Sequence, residues 1–175
     1  MPHKYAHIEK ERRFLLAKLP DDLDQTAYQL IEDVYITGTR LRLRRMSSPD
    51  GETRALKLGQ KFNELGRAAH ETTMTNFYLN EAEYEVLRAL PGLKLMKRRY
   101  AYVWHGRRYA IDQFLDHLIG LLLAEIEAES EEELMVLPVP EFAMCEVTAV
   151  PFFTGGNLVT ITEERLREEI RRLRD

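Results

Sequence analysis

The chain has 175 residues, 45% hydrophobic and 31% charged, a composition too apolar for a disordered polymer and long enough to bury a core without metal or disulfide staples. A formal net charge of −4 argues against a broad nucleic-acid surface, and the one cysteine, Cys145, can form neither an internal disulfide nor a thiolate zinc site. No apolar run approaches the roughly 18 residues of a membrane span, and Met1–His7 lack an apolar leader core, so the expectation is one cytoplasmic domain, residues 1–175, with no membrane or nucleic-acid partner.

In Ile8–Phe14, a period of two places Glu9, Glu11 and Arg13 on one face of a strand, with Ile8 and Phe14 on the other. Residues 21–37 carry mixed signals, and Tyr28, Leu30, Val34 and Ile36 tip them towards strand against the cap-like Asp21 and Asp22. Arg40, Arg42 and Arg44 then share a face opposite Leu41 and Leu43, and Ser47–Gly51 reads as a hairpin turn into Leu56-Lys57-Leu58. Asn80 and Glu83 form a capping-box pattern ahead of Ala82, Val86, Leu87 and Leu90, which predicts a helix stopped by Pro91-Gly92. Alternation returns at Lys97 and Arg99, turns at His105-Gly106, and continues through Asp112 and then through Glu125 and Glu127, whose neighbours are Ala124, Ile126 and Ala128. Ser130 with Glu133 predicts a short helix ending before Pro138, and Thr160 with Glu163 predicts a longer one bearing Leu166, Ile170 and Leu173.

On one strand, a charged face is most simply a solvated exterior, and Lys10, Arg12 and Arg40 read that way. Repeated over many strands, with acids on the first and last and bases between, the charges point to a barrel with a charged lumen. Arg42, Arg44, Lys57, Lys97 and Arg99 are suited to neutralising a polyphosphate, the arginines through planar forks and the lysines as point charges. Glu9, Glu11, Glu125 and Glu127 supply hard oxygen ligands for Mg²⁺ or Mn²⁺ shared with substrate phosphates, a chemistry that requires no covalent nucleophile. There is no phosphate-binding G-x-x-x-x-G-K-[ST] loop, Gly155-Gly156 reads as an ordinary loop, and His3, His7, His70, His105 and His117 lack metal-ligand spacing.

The run Glu9-Lys10-Glu11-Arg12-Arg13 resembles the E-x-E-x-K signature of the CYTH superfamily, the triphosphate tunnel metalloenzymes. Arg42-x-Arg44, Lys57, Lys97-x-Arg99, Asp112, Glu125-x-Glu127 and Glu146-Val-Thr resemble the family's later motifs in order, over nearly the whole chain. The resemblance implies an α+β, mainly antiparallel fold, an about eight-stranded closed tunnel barrel with flanking helices. It implies Mg²⁺- or Mn²⁺-dependent hydrolysis of a triphosphate-containing small molecule, inorganic triphosphate first, with thiamine triphosphate and ATP as the other substrates. Glu9, Glu11, Asp112, Glu125 and Glu127 would attend the metal, Arg42, Arg44, Lys57 and Arg99 the phosphates, and Arg13, beside Glu9 and Glu11, would take the catalytic place of the signature lysine. The chain departs from the pattern at Arg13, at the single acid of His70-Glu71-Thr72-Thr73, and at Ala149–Phe153, where a basic stretch is usual. These departures motivate a non-hydrolytic polyphosphate- or nucleotide-binding module as an alternative, with ATP cyclisation as a further one. Monomer and homodimer are both compatible with the sequence.

Overall fold

The computed structural model describes residues 5–62 and 68–174; of the sequence-derived readings, those on His3 and on the first four residues of the N-terminal segment lie outside that range. The segments with period-two alternation form strands: β1 (His7–Leu15), β2 (Tyr28–Ile36), β3 (Leu41–Ser47), β4 (Thr53–Phe62), β5 (Glu71–Tyr78), β6 (Gly92–Trp104), β7 (Arg107–Phe114) and β8 (Leu122–Glu127), with a two-residue β9 (Cys145–Glu146). The helices are α1 (Glu81–Arg88), α2 (Glu131–Met135), α3 (Gly155–Leu158) and α4 (Glu163–Arg174). Among the described residues no helix is long and apolar enough to cross a membrane.

All neighbouring strands pair antiparallel in the order β5-β4-β3-β2-β6-β7-β8-β1. Strand β1 closes the ring by dividing its length: His7–Lys10 pair with β5 and Glu11–Leu15 with β8. The result is the expected closed eight-stranded barrel, with β9 added beside the end of β1. Closure removes exposed sheet edges and gives every strand an inner and an outer face.

Local chemistry explains the joints. His105 and Gly106 both have positive φ (48° and 73°), as a two-residue turn between Trp104 and Arg107 requires for its twist to match the strands. The Asn80–Glu83 capping box forms as expected, Asn80 accepting from the Glu83 backbone N–H. Gly92 opens β6 where a Cβ would lie 2.6 Å from Val34 Cγ1 and 2.8 Å from the Tyr35 carbonyl oxygen, so a close strand approach, beyond a helix stop, demands glycine there. Three expectations need correction. The strand expected over 21–37 occupies only Tyr28–Ile36, because Asp24 accepts from the Thr26 N–H and hydroxyl and turns the preceding chain. Helix α4 is capped by Thr162, which accepts from the Arg165 N–H, while the Thr160 hydroxyl donates backwards to Asn157 O. Gly155-Gly156 is the first turn of α3, and Gly155 lies so close to the Tyr35 hydroxyl that a Cβ would be 2.1 Å from it.

Apolar residues gather at two main places. Outside the barrel, Phe14, Tyr100, Tyr109, Ile111, Ala124 and Ile126 pack beneath Leu16, Leu23, Leu134 and Leu137. At one end of the barrel, Leu15, Leu95, Phe114 and Leu123 meet Val147, Phe153, Leu158, Val159 and Leu166 of the C-terminal segment, and the part-buried Cys145 packs against this cluster. Helix α1 covers Leu43 and Leu56 with Tyr84 and Leu87.

The exterior is also where Arg12 proves not to be solvated: it is 7% exposed, because the segment from Leu134 to Glu146 lies over it. Its Nε and Nη2 donate to Glu146 at 3.0 and 2.7 Å, and its Nη1 donates to the Leu137 and Leu134 carbonyls. Truncating one partner of such a pair strands the other group and two buried carbonyls. Arg12→Met is therefore expected to lower stability by roughly 2–4 kcal/mol, measured by urea unfolding monitored through the barrel's circular dichroism.

Candidate active site

Strand register brings the inward residues together. Arg13 stands opposite Glu125, and Glu11 opposite Glu127, on β1 and β8. Arg99 faces Asp112 on β6 and β7, while Arg44 on β3 lies between Asp33 on β2 and Lys57 on β4. They surround an interior cavity of about 920 Å³ whose wall includes Glu9, Glu11, Arg13, Arg42, Arg44, Lys57, Lys97, Arg99, Glu125 and Glu127. Its apolar floor is formed by Leu95, Phe114, Leu123, Phe153 and Leu158. Asp112, assigned to the metal by the resemblance, stands behind this wall.

One side of the cavity is cationic and is held by two buried aspartates. Asp33 accepts a two-point contact from Arg44 at 2.7 and 2.8 Å, and Arg42 Nε lies 3.7 Å from the same carboxylate. Burial would raise the Asp33 carboxyl, but Arg44 and then Arg42 outweigh it and hold the group well below the usual carboxylate range. Asp112, 0% exposed, accepts from Arg99 at 2.7 and 2.6 Å and from the Lys97 ammonium. Both of its oxygens accept from cations, so it stands behind the cavity wall as a buried anchor for Lys97 and Arg99. Burial, reinforced by Arg99, lowers the Lys97 ammonium to about 8 although Asp112 opposes the change. Lys57 lies at the cavity wall with its ammonium over the Tyr78 ring, 4.9 Å from the centroid.

The opposite side is acidic. Arg13 Nη2 donates to Glu11 at 2.6 Å, its Nε to Glu125 at 3.1 Å, and its Nη1 to the Phe153 carbonyl of the C-terminal segment. Glu125 also accepts from Arg99 at 2.6 Å. Burial opposes its ionisation, yet Arg99, Lys97, Arg13 and Lys61 hold its carboxyl well below the usual range. Glu127 is the counterexample: partial burial and then the negative neighbours Glu9, Glu11 and Glu125 push its carboxyl upward. That residual negative field, made by hard carboxylate oxygens, fits a divalent cation. Among the described residues no three acidic, histidine or cysteine side chains converge into a ready-made cage.

Sequence reasoning missed Asp33 and Lys61. Asp33 lay in the segment with mixed signals, where Ile31-x-Asp33-x-Tyr35 carries the inward period. Lys61 continues Lys57-x-Gly59 on β4 and was legible by extending that alternation by two residues; its ammonium contacts Glu9 at 2.8 Å and Glu11 at 3.1 Å. Arg40 is exposed, as expected, and also borders the cavity. Glu71 pairs with Lys10 in the register of the outer face, and the inward positions of β5 are Thr72, Met74 and Asn76. Because the ion pair at Asp33 exists only while its carboxyl is ionised, its stabilisation is present above the ordinary pKa near 4 and is lost as pH falls below it. Asp33→Asn is expected to cost roughly 3–5 kcal/mol at pH 7, and its deficit relative to the parent should shrink between pH 4 and pH 2 in urea unfolding.

No protein-family model matches the chain. It is 30% identical over 118 residues to an inorganic triphosphatase of Acetivibrio thermocellus, an alignment spanning 61% of this chain and 73% of that protein. The crystal structure of the hypothetical protein NE1496 superposes with a TM-score of 0.59 at 26% identity, covering 88% of this chain and 99% of the other. A structure described as the inorganic triphosphatase NE1496 superposes with the same TM-score at 24% identity, covering 88% and 96%, and bears on the fold alone. With a closed barrel whose interior gathers the ordered acidic and basic motifs, and a curated relative matched over most of its length, the chain belongs to the CYTH superfamily of triphosphate tunnel metalloenzymes.

Proposed function

We propose that the protein hydrolyses a triphosphate chain, with inorganic triphosphate as substrate, using Mg²⁺ or Mn²⁺. The observation that carries this reading is the division of one cavity into a cationic side and a carboxylate side, the two meeting where Arg99 and Arg13 both contact Glu125. The relative from Acetivibrio thermocellus, named an inorganic triphosphatase, supports the same substrate.

Arg42, Arg44, Lys57, Lys97 and Arg99 bind the phosphate oxygens, and Asp33 and Asp112 keep four of these cations aimed into the cavity before substrate arrives. Preorganised donors of this kind stabilise charge without reorienting during the reaction. Glu9, Glu11, Glu125 and Glu127 would hold the divalent ion, which supplies charge withdrawal from the phosphoryl oxygens and lowers the pKa of water. In this reading water is the nucleophile and no covalent intermediate is needed. Its oxygen bonds to the terminal phosphorus, the bridging P–O bond breaks, the leaving pyrophosphate takes that electron pair, and the water's proton passes to solvent or phosphate. Arg13, fully charged and tied to Glu11, Glu125 and the Phe153 carbonyl, orients the carboxylates and accepts no proton.

Phosphate release from inorganic triphosphate should appear with Mg²⁺ or Mn²⁺ and vanish with EDTA. Glu9→Gln with Glu125→Gln should lower kcat by more than the roughly 10–100-fold typical of residues one layer away from a metal. Tight triphosphate binding without release would instead identify a binding module, and cyclic AMP formed from ATP would identify a cyclase. The lowered Lys97 ammonium adds a pH signature: it is charged below about 8 and neutral above. KM for triphosphate is expected to rise about tenfold between pH 7 and 9, and the rise should be absent in Lys97→Arg, whose guanidinium keeps its charge.

A further inference from the structure

The acidic side of the cavity contains a cation that the family-like motifs do not account for. Lys61 reaches in from β4, where it pairs with Met74 of β5. Its ammonium lies between Glu9 and Glu11, at 2.8 and 3.1 Å, and the two carboxylate side chains are only 13% and 7% exposed. Among the described residues the inward positions of β5 carry no acid: Thr72 stands opposite Glu9, followed by Met74 and Asn76.

We propose that the Lys61 ammonium, lodged between Glu9 and Glu11, fills a cation position, so that the carboxylate side accepts one divalent ion and not two. The ion pairs support this count. Lys61 contacts Glu9 and Glu11, Arg13 contacts Glu11 and Glu125, and Arg99 also contacts Glu125. Among the described residues Glu127 is the one glutamate of the four without a cation contact, which leaves a position for one divalent ion. A second ion would sit against Thr72 and Met74, without a carboxylate from β5, and would have to displace a tethered ammonium. Lys61 is thus a positioning residue: it sets Glu9 and Glu11 and limits metal occupancy. This inference rests on the divalent-ion reading above and assigns that ion its stoichiometry.

The test is a titration of the full chain with Mn²⁺ alone, free Mn²⁺ being read by electron paramagnetic resonance, alongside triphosphate turnover. The parent protein should bind one Mn²⁺. Lys61→Met, which keeps the stem and removes the charge, should bind a second Mn²⁺ or hold the first at least about tenfold tighter, because a unit charge ~4 Å away has a larger effect than that even at an effective dielectric near 20. Lys61→Arg should behave as the parent. Lys61→Gln, read in the same titration and by the gain in melting temperature on adding Mn²⁺, covers poor folding of the methionine variant. Unchanged stoichiometry and affinity in both neutral variants would overturn the inference, as would two Mn²⁺ ions on the parent. Altered Mn²⁺ binding in a parent that releases no phosphate would leave the Lys61 inference standing and sink the hydrolytic reading. Parent turnover with Mn²⁺ binding indifferent to Lys61 would do the reverse.

Discussion

Two buried carboxylates, Asp33 and Asp112, make the barrel interior possible. Without them Arg42, Arg44, Lys97 and Arg99 would confront one another across a space where repulsion is weakly screened. With them, Arg44 and Arg99 each make a two-point contact with a carboxylate, Arg42 lies 3.7 Å from Asp33, and all three guanidiniums border the cavity. Such pairs need not stabilise the fold relative to an apolar core, since desolvation consumes much of their Coulomb energy. What they secure is a set of charges already in position, and that requirement explains why so much of the inner surface is ionic while the apolar residues are pushed outward and to one end.

The carboxylate side depends on the same logic with the signs reversed. Arg13 and Lys61 lie between Glu9, Glu11 and Glu125 at close quarters, and Glu127 lacks a cation contact among the described residues and sits in the field of the other glutamates. Arg13 also joins this centre to the C-terminal segment through the Phe153 carbonyl, and its backbone N–H donates to Thr148. The basic stretch absent from Ala149–Phe153 is thus replaced by a structural use of the same segment: it supplies the floor of the cavity and a carbonyl that fixes Arg13.

Much of this was legible in the sequence because a strand alternates its faces. Glu9, Glu11 and Arg13 could be assigned to one side without knowing any partner strand, and the same holds for Arg42 with Arg44 and for Glu125 with Glu127. Two kinds of information were not local. The role of Asp112 depended on which strand lay beside it: opposite Arg99 it is an anchor, whereas a neighbouring carboxylate would have made it a candidate ligand. The burial of Arg12 depended on residues more than 120 positions away folding over the outer face of β1. Asp33 was hidden by the Asp-rich turn before it, and Lys61 only because the alternation from Lys57 was not followed to its end.

The central claim is that one cavity holds the phosphate chain on its cationic side and the metal on its carboxylate side. A crystal structure with inorganic triphosphate and Mn²⁺, the ion located by its anomalous scattering, tests it most directly. The account predicts phosphates against Arg42, Arg44, Lys57, Lys97 and Arg99, and one Mn²⁺ between the phosphate chain and the glutamates of β1 and β8. Triphosphate bound on the barrel exterior, or Mn²⁺ seated away from Glu9, Glu11, Glu125 and Glu127, would contradict it.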